Sequence, residues 1–130
     1  MKNTQVSLLS RNRHRVSLLR NTPTASELEF RLFLETLRVP FIFQKGFLRP
    51  FHRIVDFYIP KRFLNTGKGL AIEIDGPSHD DAEKDERRDQ IYSESRKIEF
   101  FRLKDDEIFD GSYQQKTQDT LNAKLKNPIR

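Results

Sequence analysis

Apolar residues recur along this chain with two periods, and the switches between them mark the elements. Phe30, Phe33, Leu34 and Leu37 fall at i, i+3, i+4 and i+7, the stripe of an amphipathic helix. Thr24 followed by Glu27 reads as a capping box, in which hydroxyl and carboxylate each take a free backbone N–H. Pro40 ends the pattern, so a helix is predicted over about 25–38. The period then falls to two. PFIFQKGFLRP predicts a short aromatic strand ended by Gly46 or Pro50. In HRIVDFYIP, alternation places Val55, Phe57 and Ile59 on one face and Ile54, Asp56 and Tyr58 on the other, with Pro60 as the stop. KRFLNTGKG is long for a tight hairpin, so the next strand is expected to lie antiparallel across a loose loop.

That next strand is LAIEIDGPSH. Leu70, Ile72 and Ile74 share one face, Ala71, Glu73 and Asp75 the other, and Gly76-Pro77 ends it. From Asp80 to about Arg96 the sequence is polar and helix-forming, with Ile91 and Tyr92 as its main apolar contacts. KIEFFRL predicts a last strand, and the polar stretch from Tyr113 to Lys126 a helical tail. The order α β β β α β predicts an α/β fold with a mixed central sheet flanked by helices. At 130 residues there is room for one core. The expected division is a basic arm over 1–21, a domain over 22–110 and a polar C-terminal tail over 111–130. There is no internal repeat or low-complexity segment.

Composition narrows the class. Eleven phenylalanines supply the core of a chain in which 33% of residues are charged, the balance of a soluble globular domain. The absence of cysteine excludes a disulfide framework and a thiolate zinc site, and suits a reducing cytosol. No run approaches about 18 apolar residues, and the basic N-terminus has no stretch suited to a secretory signal. A cytoplasmic location without membrane contact is therefore expected. The net charge of +5 is carried entirely by residues 1–24, where Lys2, Arg11, Arg13, Arg15 and Arg20 meet no acid. Such an arm is either a solvated tail or a set of phosphate contacts, which give affinity without reading sequence.

The carboxylates carry the candidate chemistry. Same-face neighbours on a strand lie roughly 7 Å apart, so Glu73 and Asp75 can converge on one cation, and Asp56 joins them if its strand pairs alongside. Acids so gathered repel one another unless a hard cation such as Mg²⁺ takes up their charge. Such an ion stabilises charge on a phosphate oxygen and makes a bound water more acidic. The ordinary alternative is a polar outer strand face. His79, just past the strand, can move a proton if the turn swings it over the acids; a lone surface histidine is usually inert. Glu27 is explained as a cap, yet it shares the register of Phe30 and Leu34 and so points inward. Asp85, Arg88 and Asp89 lie on one helical face, an ordinary salt-bridged surface or a place where Asp85 orients His79 and Arg88 holds a phosphate.

Together these pieces resemble the very-short-patch-repair-like endonucleases of the PD-(D/E)XK superfamily. The resemblance runs over about 22–110: Thr24-Ala25-Ser26-Glu27 opening a helix, then IVDFYIP, IEIDGPSH, Asp85-x-x-Arg88 and EFFRL. It implies a restriction-endonuclease-like fold and a Mg²⁺-dependent endonuclease, with Mn²⁺ able to substitute, acting on phosphodiester bonds in DNA or, secondarily, RNA. Asp56 matches the metal-binding Asp, Ile74 a position giving its backbone carbonyl, and Asp75 the acidic or His position beside it, with Glu73 auxiliary. Glu27 matches a helix Glu that holds water, and His79 a His near the scissile phosphate. Lys45 and Arg88 join the arm's arginines as nucleic-acid contacts; Gln44, Asp85 and Arg102 are auxiliary. One departure stands out. The superfamily's Glu-x-Lys is Glu73-Ile74-Asp75 here, so no lysine stands at that position. AIEIDGPSH also resembles the RAP domain of RNA-associated proteins, which implies a rival reading as a non-catalytic nucleic-acid-binding module. A chain of this size is expected to act as a monomer or a homodimer.

Overall fold

Thr24 starts the first helix as its spacing predicts. Its hydroxyl accepts from the Glu27 N–H at 3.1 Å, and the Glu27 carboxylate accepts from the Thr24 N–H at 3.2 Å. In this computed structural model, which describes residues 23–76 and 82–129, helix α1 covers Ala25–Thr36. It stops two residues before the expected Arg38, because Arg38 itself takes a left-handed φ of 59° ahead of Pro40. Phe30 and Leu34 are fully buried, with Phe33 and Leu37 packed beside them.

The strands are β1 (Ile42–Phe47), β2 (Arg53–Ile59), β3 (Gly69–Asp75) and β4 (Ile98–Lys104), in the spatial order β1-β2-β3-β4. The first three pair antiparallel; β4 lies parallel to β3. That switch requires a crossover, and helix α2 (Ala82–Arg96) supplies it. Helix α3 (Asp105–Asp110) ends at Gly111, whose φ of 82° suits glycine at a helix stop. Helix α4 (Tyr113–Lys124) follows. The chain is thus α/β, with a mixed four-stranded sheet and flanking helices.

Each face of the sheet carries its own core. On one, Phe30 and Leu34 of α1 meet Phe57, Ile59, Leu70, Ile72 and Leu103. The Phe57 ring is central there, 5.0 Å from Phe30 and 5.2 Å from Phe43. The C-terminal segment joins this cluster through Tyr113, Leu121 and Leu125, and Lys126 donates its N–H to the Phe63 carbonyl at 2.9 Å. On the other face, Tyr92 of α2 packs with Phe47, Val55, Ala71 and Ile98.

Two expectations change here. Ile91 is 42% exposed, and of the two only Tyr92 is buried. Tyr92 shares its helical face with Arg88 and Arg96, which also lie over aromatic rings beneath, and Ile91 falls off that face. Second, Val55 does not share a face with Phe57 and Ile59. It packs with Phe47 and Tyr58 in the second cluster, while Phe57 and Ile59 pack in the first. Alternation along β2 slips by one residue at Asp56. Across the β1–β2 ladder, Gln44 lies between the Phe43↔Phe57 and Lys45↔Val55 pairs and has a φ of 54°. Both strands therefore change face at one level.

Candidate active site

Strand β3 alternates as its sequence predicts. Leu70, Ile72 and Ile74 belong to the first cluster and Ala71 to the second. Glu73, 8% exposed, is met by a guanidinium: Arg53 Nη2 lies 3.3 Å from Glu73 Oε2. The same Nη2 lies 2.6 Å from Asp89 Oδ1 on α2. From β4, Arg102 makes a two-point contact with Asp89, Nε to Oδ2 at 2.9 Å and Nη2 to Oδ1 at 2.8 Å. Its remaining nitrogen, Nη1, donates to Asp75 Oδ1 at 2.7 Å. Asp89 thus ties two arginines together, and each arginine holds one acid of β3.

Packing explains why charges survive at this depth. The Arg53 guanidinium lies 4.6 Å from the Phe100 ring centroid and 5.4 Å from that of Tyr92. A planar, delocalised cation is less costly to bury against rings than an ammonium. Burial by itself would lower the Arg102 pKa. The hydrogen bond to Asp89 and the charges of Asp89, Asp75 and Glu73 outweigh that and raise it, so Arg102 stays charged.

Asp56 is more deeply buried than either β3 acid, at 1% exposure. Its Oδ2 accepts from the Ile74 N–H at 2.7 Å. The β2–β3 ladder runs from Ile59↔Leu70 to Phe57↔Ile72 and goes no further. At the next step the Asp56 carboxylate replaces a backbone carbonyl as partner of the Ile74 amide. The slip in β2 and the position of Asp56 are therefore one feature: the side chain that would leave the sheet is turned toward β3. Gln44, at the same level of β1, has a buried Nε2 with no hydrogen-bond partner among the described residues.

The remaining expected residues divide. Glu27 is buried, at 3% exposure, in the first turn of α1. Its neighbour Ser26 donates to Asp105 Oδ1 at 2.5 Å, and Asp105 directly follows β4, where Lys104 pairs with Asp75. That bond brings the start of α1 to the end of the sheet where Asp75 lies. Asp85 is half-buried on α2; Arg88 lies 5.1 Å from the Phe51 ring and Lys45 5.5 Å from the Phe47 ring. Burial, then the nearby charge of Arg96, lowers the Lys45 pKa. His79 and the arm residues Arg11, Arg13, Arg15 and Arg20 lie outside the described residues. Sequence reasoning overlooked Arg53 and Asp89 as members of the site. A signal was there: Arg53 opens a strand that holds no other basic residue, and Asp89 repeats Asp85 one turn on.

Glu73 and Asp75 turn toward two separate guanidiniums, and Asp56 toward a backbone amide. Among the described residues no group of three or more His, Asp or Glu side chains is arranged to hold a metal. The donors nonetheless suit a hard divalent ion in kind. Asp56 accepts from the Ile74 amide, and Asp75 is the next residue along β3. Mg²⁺ is commonly bound through one or two carboxylates, with water completing the shell.

Among solved structures, the catalytic domain of homing endonuclease I-Bth0305I is similar, with a TM-score of 0.55 and 20% identity over 76% of this chain and 95% of that one. At that identity the likeness is one of fold. No family model and no curated relative matches the chain. Among the described residues no helix is long and apolar enough to cross a membrane.

Proposed function

We propose that this chain is a Mg²⁺-dependent endonuclease that hydrolyses phosphodiester bonds in DNA, in the manner of very-short-patch-repair-like enzymes. One observation carries the reading: the buried Asp56 carboxylate is fixed on the Ile74 amide, beside Asp75, on a fold shared with a nuclease catalytic domain. Asp56, Asp75 and the Ile74 carbonyl would hold Mg²⁺ or Mn²⁺. The ion would supply charge stabilisation at a phosphate oxygen and a more acidic water. Arg53 occupies Glu73, which leaves that acid an auxiliary part. In this reading Glu27 positions water, His79 moves the proton, and Asp85 orients His79. The arm's arginines clamp the backbone, and the protein works in the cytoplasm as a monomer or homodimer. With no lysine in the Glu73-Ile74-Asp75 triplet, Arg102, held by Asp89, places a fixed positive charge 2.7 Å from Asp75.

A second reading has its own support. Glu73 and Asp75 both carry arginine partners, which suits a RAP-like module that binds RNA or DNA without cutting. Nicking of supercoiled plasmid separates the two. The parent is expected to nick with Mg²⁺ and to stop in EDTA, with Asp56→Ala reducing the rate by on the order of a hundredfold or more. Tight binding in EDTA with no nicking by the parent would instead establish the binding module.

A further inference from the structure

We propose that a phosphodiester backbone is held along the edge where α2 meets β1, on Lys45, Arg88 and Arg96. The inference rests on the nucleic-acid reading above and adds the path of the strand.

Two aromatic rings organise these cations. The Arg96 guanidinium lies 5.2 Å and Lys45 Nζ 5.5 Å from the Phe47 centroid, so both share one ring, while Arg88 lies 5.1 Å from Phe51. The rings are fixed from beneath. Tyr92 packs edge-on against Phe51 at 4.9 Å and against Phe47 at 5.7 Å, and its hydroxyl donates to the Phe51 carbonyl. Tyr58 closes the other side of Phe47 at 5.4 Å.

The contrast with Arg53 and Arg102 is informative. Those arginines are answered by Glu73, Asp75 and Asp89. Among the described residues, no carboxylate lies within ion-pair distance of Lys45, Arg88 or Arg96. Two like charges at one ring repel, and Lys45, half-buried, has its pKa lowered by burial and then by Arg96. An anion placed between them turns that repulsion into attraction. Phosphate is the anion that the proposed reaction brings.

The spacing also fits. Arg88, Tyr92 and Arg96 fall at i, i+4 and i+8, so the two arginines lie about 12 Å apart along one helix face. That is roughly three to four nucleotides of duplex rise. At its Arg88 end the stripe adjoins Asp89, and so leads to the acids of β3.

The test is binding of a labelled 20-base-pair duplex and of the matching single strand to the full chain, in EDTA, over a range of salt. Lys45→Gln with Arg96→Gln is expected to lower the slope of log affinity against log salt by about 1.8 for duplex, the value for two phosphate contacts. The charge-retaining pair Lys45→Arg and Arg96→Lys is expected to keep the slope, which separates loss of contact from loss of fold. An unchanged slope in a folded Gln variant overturns the proposal. So does failure of the parent to bind either oligonucleotide, or preferential binding to anionic lipid vesicles. Because no cleavage is required, a protein that binds as expected but never nicks would refute the nuclease reading and leave the strand path standing.

Discussion

The two faces of the sheet are built from the same strands to opposite specifications. Under α1 and α4 the contacts are aromatic and aliphatic, and the Phe57 ring meets Phe30, Phe41 and Phe43. Under α2 a small apolar cluster adjoins part-buried charges, with Asp89 drawing in Arg53 and Arg102. The first face is held by area removed from water, which is insensitive to direction. The second is held by directed bonds, each of which loses its value if its partner goes. Apolar packing and directed charge pairing are thus concentrated on opposite sides of the sheet.

The sharpest way to break the comparison is to weaken each side in turn. Phe57→Ala is expected to cost about 4 kcal/mol by urea unfolding, the usual penalty for emptying a buried phenyl site. A loss below about 1 kcal/mol would mean that this face is not the main core. Asp89→Ala is expected to cost about 2 kcal/mol, below the cost of breaking a fully buried pair, since it strips the shared partner from two arginines in a part-buried network. If directed pairing is the reason, the effects are not additive: Arg102→Met costs less in the Asp89→Ala background than in the parent, because Asp89 takes two of the three hydrogen bonds of Arg102. Simple additivity would refute the argument. The smallest effect is on acid stability. Glu107 accepts from Lys116 Nζ and from the Lys104 N–H, both at 2.8 Å, and these bonds hold its pKa below the ordinary 4.5. Its contribution is therefore complete above pH 4.5 and is lost as pH falls through the depressed folded value. Glu107→Gln should flatten the acid limb of the stability curve by less than about 1 kcal/mol, as befits a largely solvated pair.

Where side-chain period alone decides an element, the sequence was sufficient. The Thr24–Glu27 box, the stripe of α1 and the division of β3 into Ile72 and Ile74 against Glu73 and Asp75 all follow from spacing and appear in the structure. Arg38 and Gln44 could not be read this way, because a positive φ at a non-glycine residue leaves no compositional mark. The face change at Asp56 was hidden for the same reason: alternation assumes an unbroken ladder, and the ladder gives way there. Arg53 and Asp89 were missed because their partners lie 20 and 13 or more residues away, beyond any local pattern. A strand carrying acids among isoleucines signals that counter-charges exist, but only the fold says that β2, β4 and α2 provide them.

Asp56 sits where β2 crosses from one core to the other, with Val55 gripped above the sheet and Phe57 below. A pull on its carboxylate is resisted from both sides at once, because neither neighbour can shift without opening a core. Evolution can remodel either core separately, but any change to this one acid is felt by both.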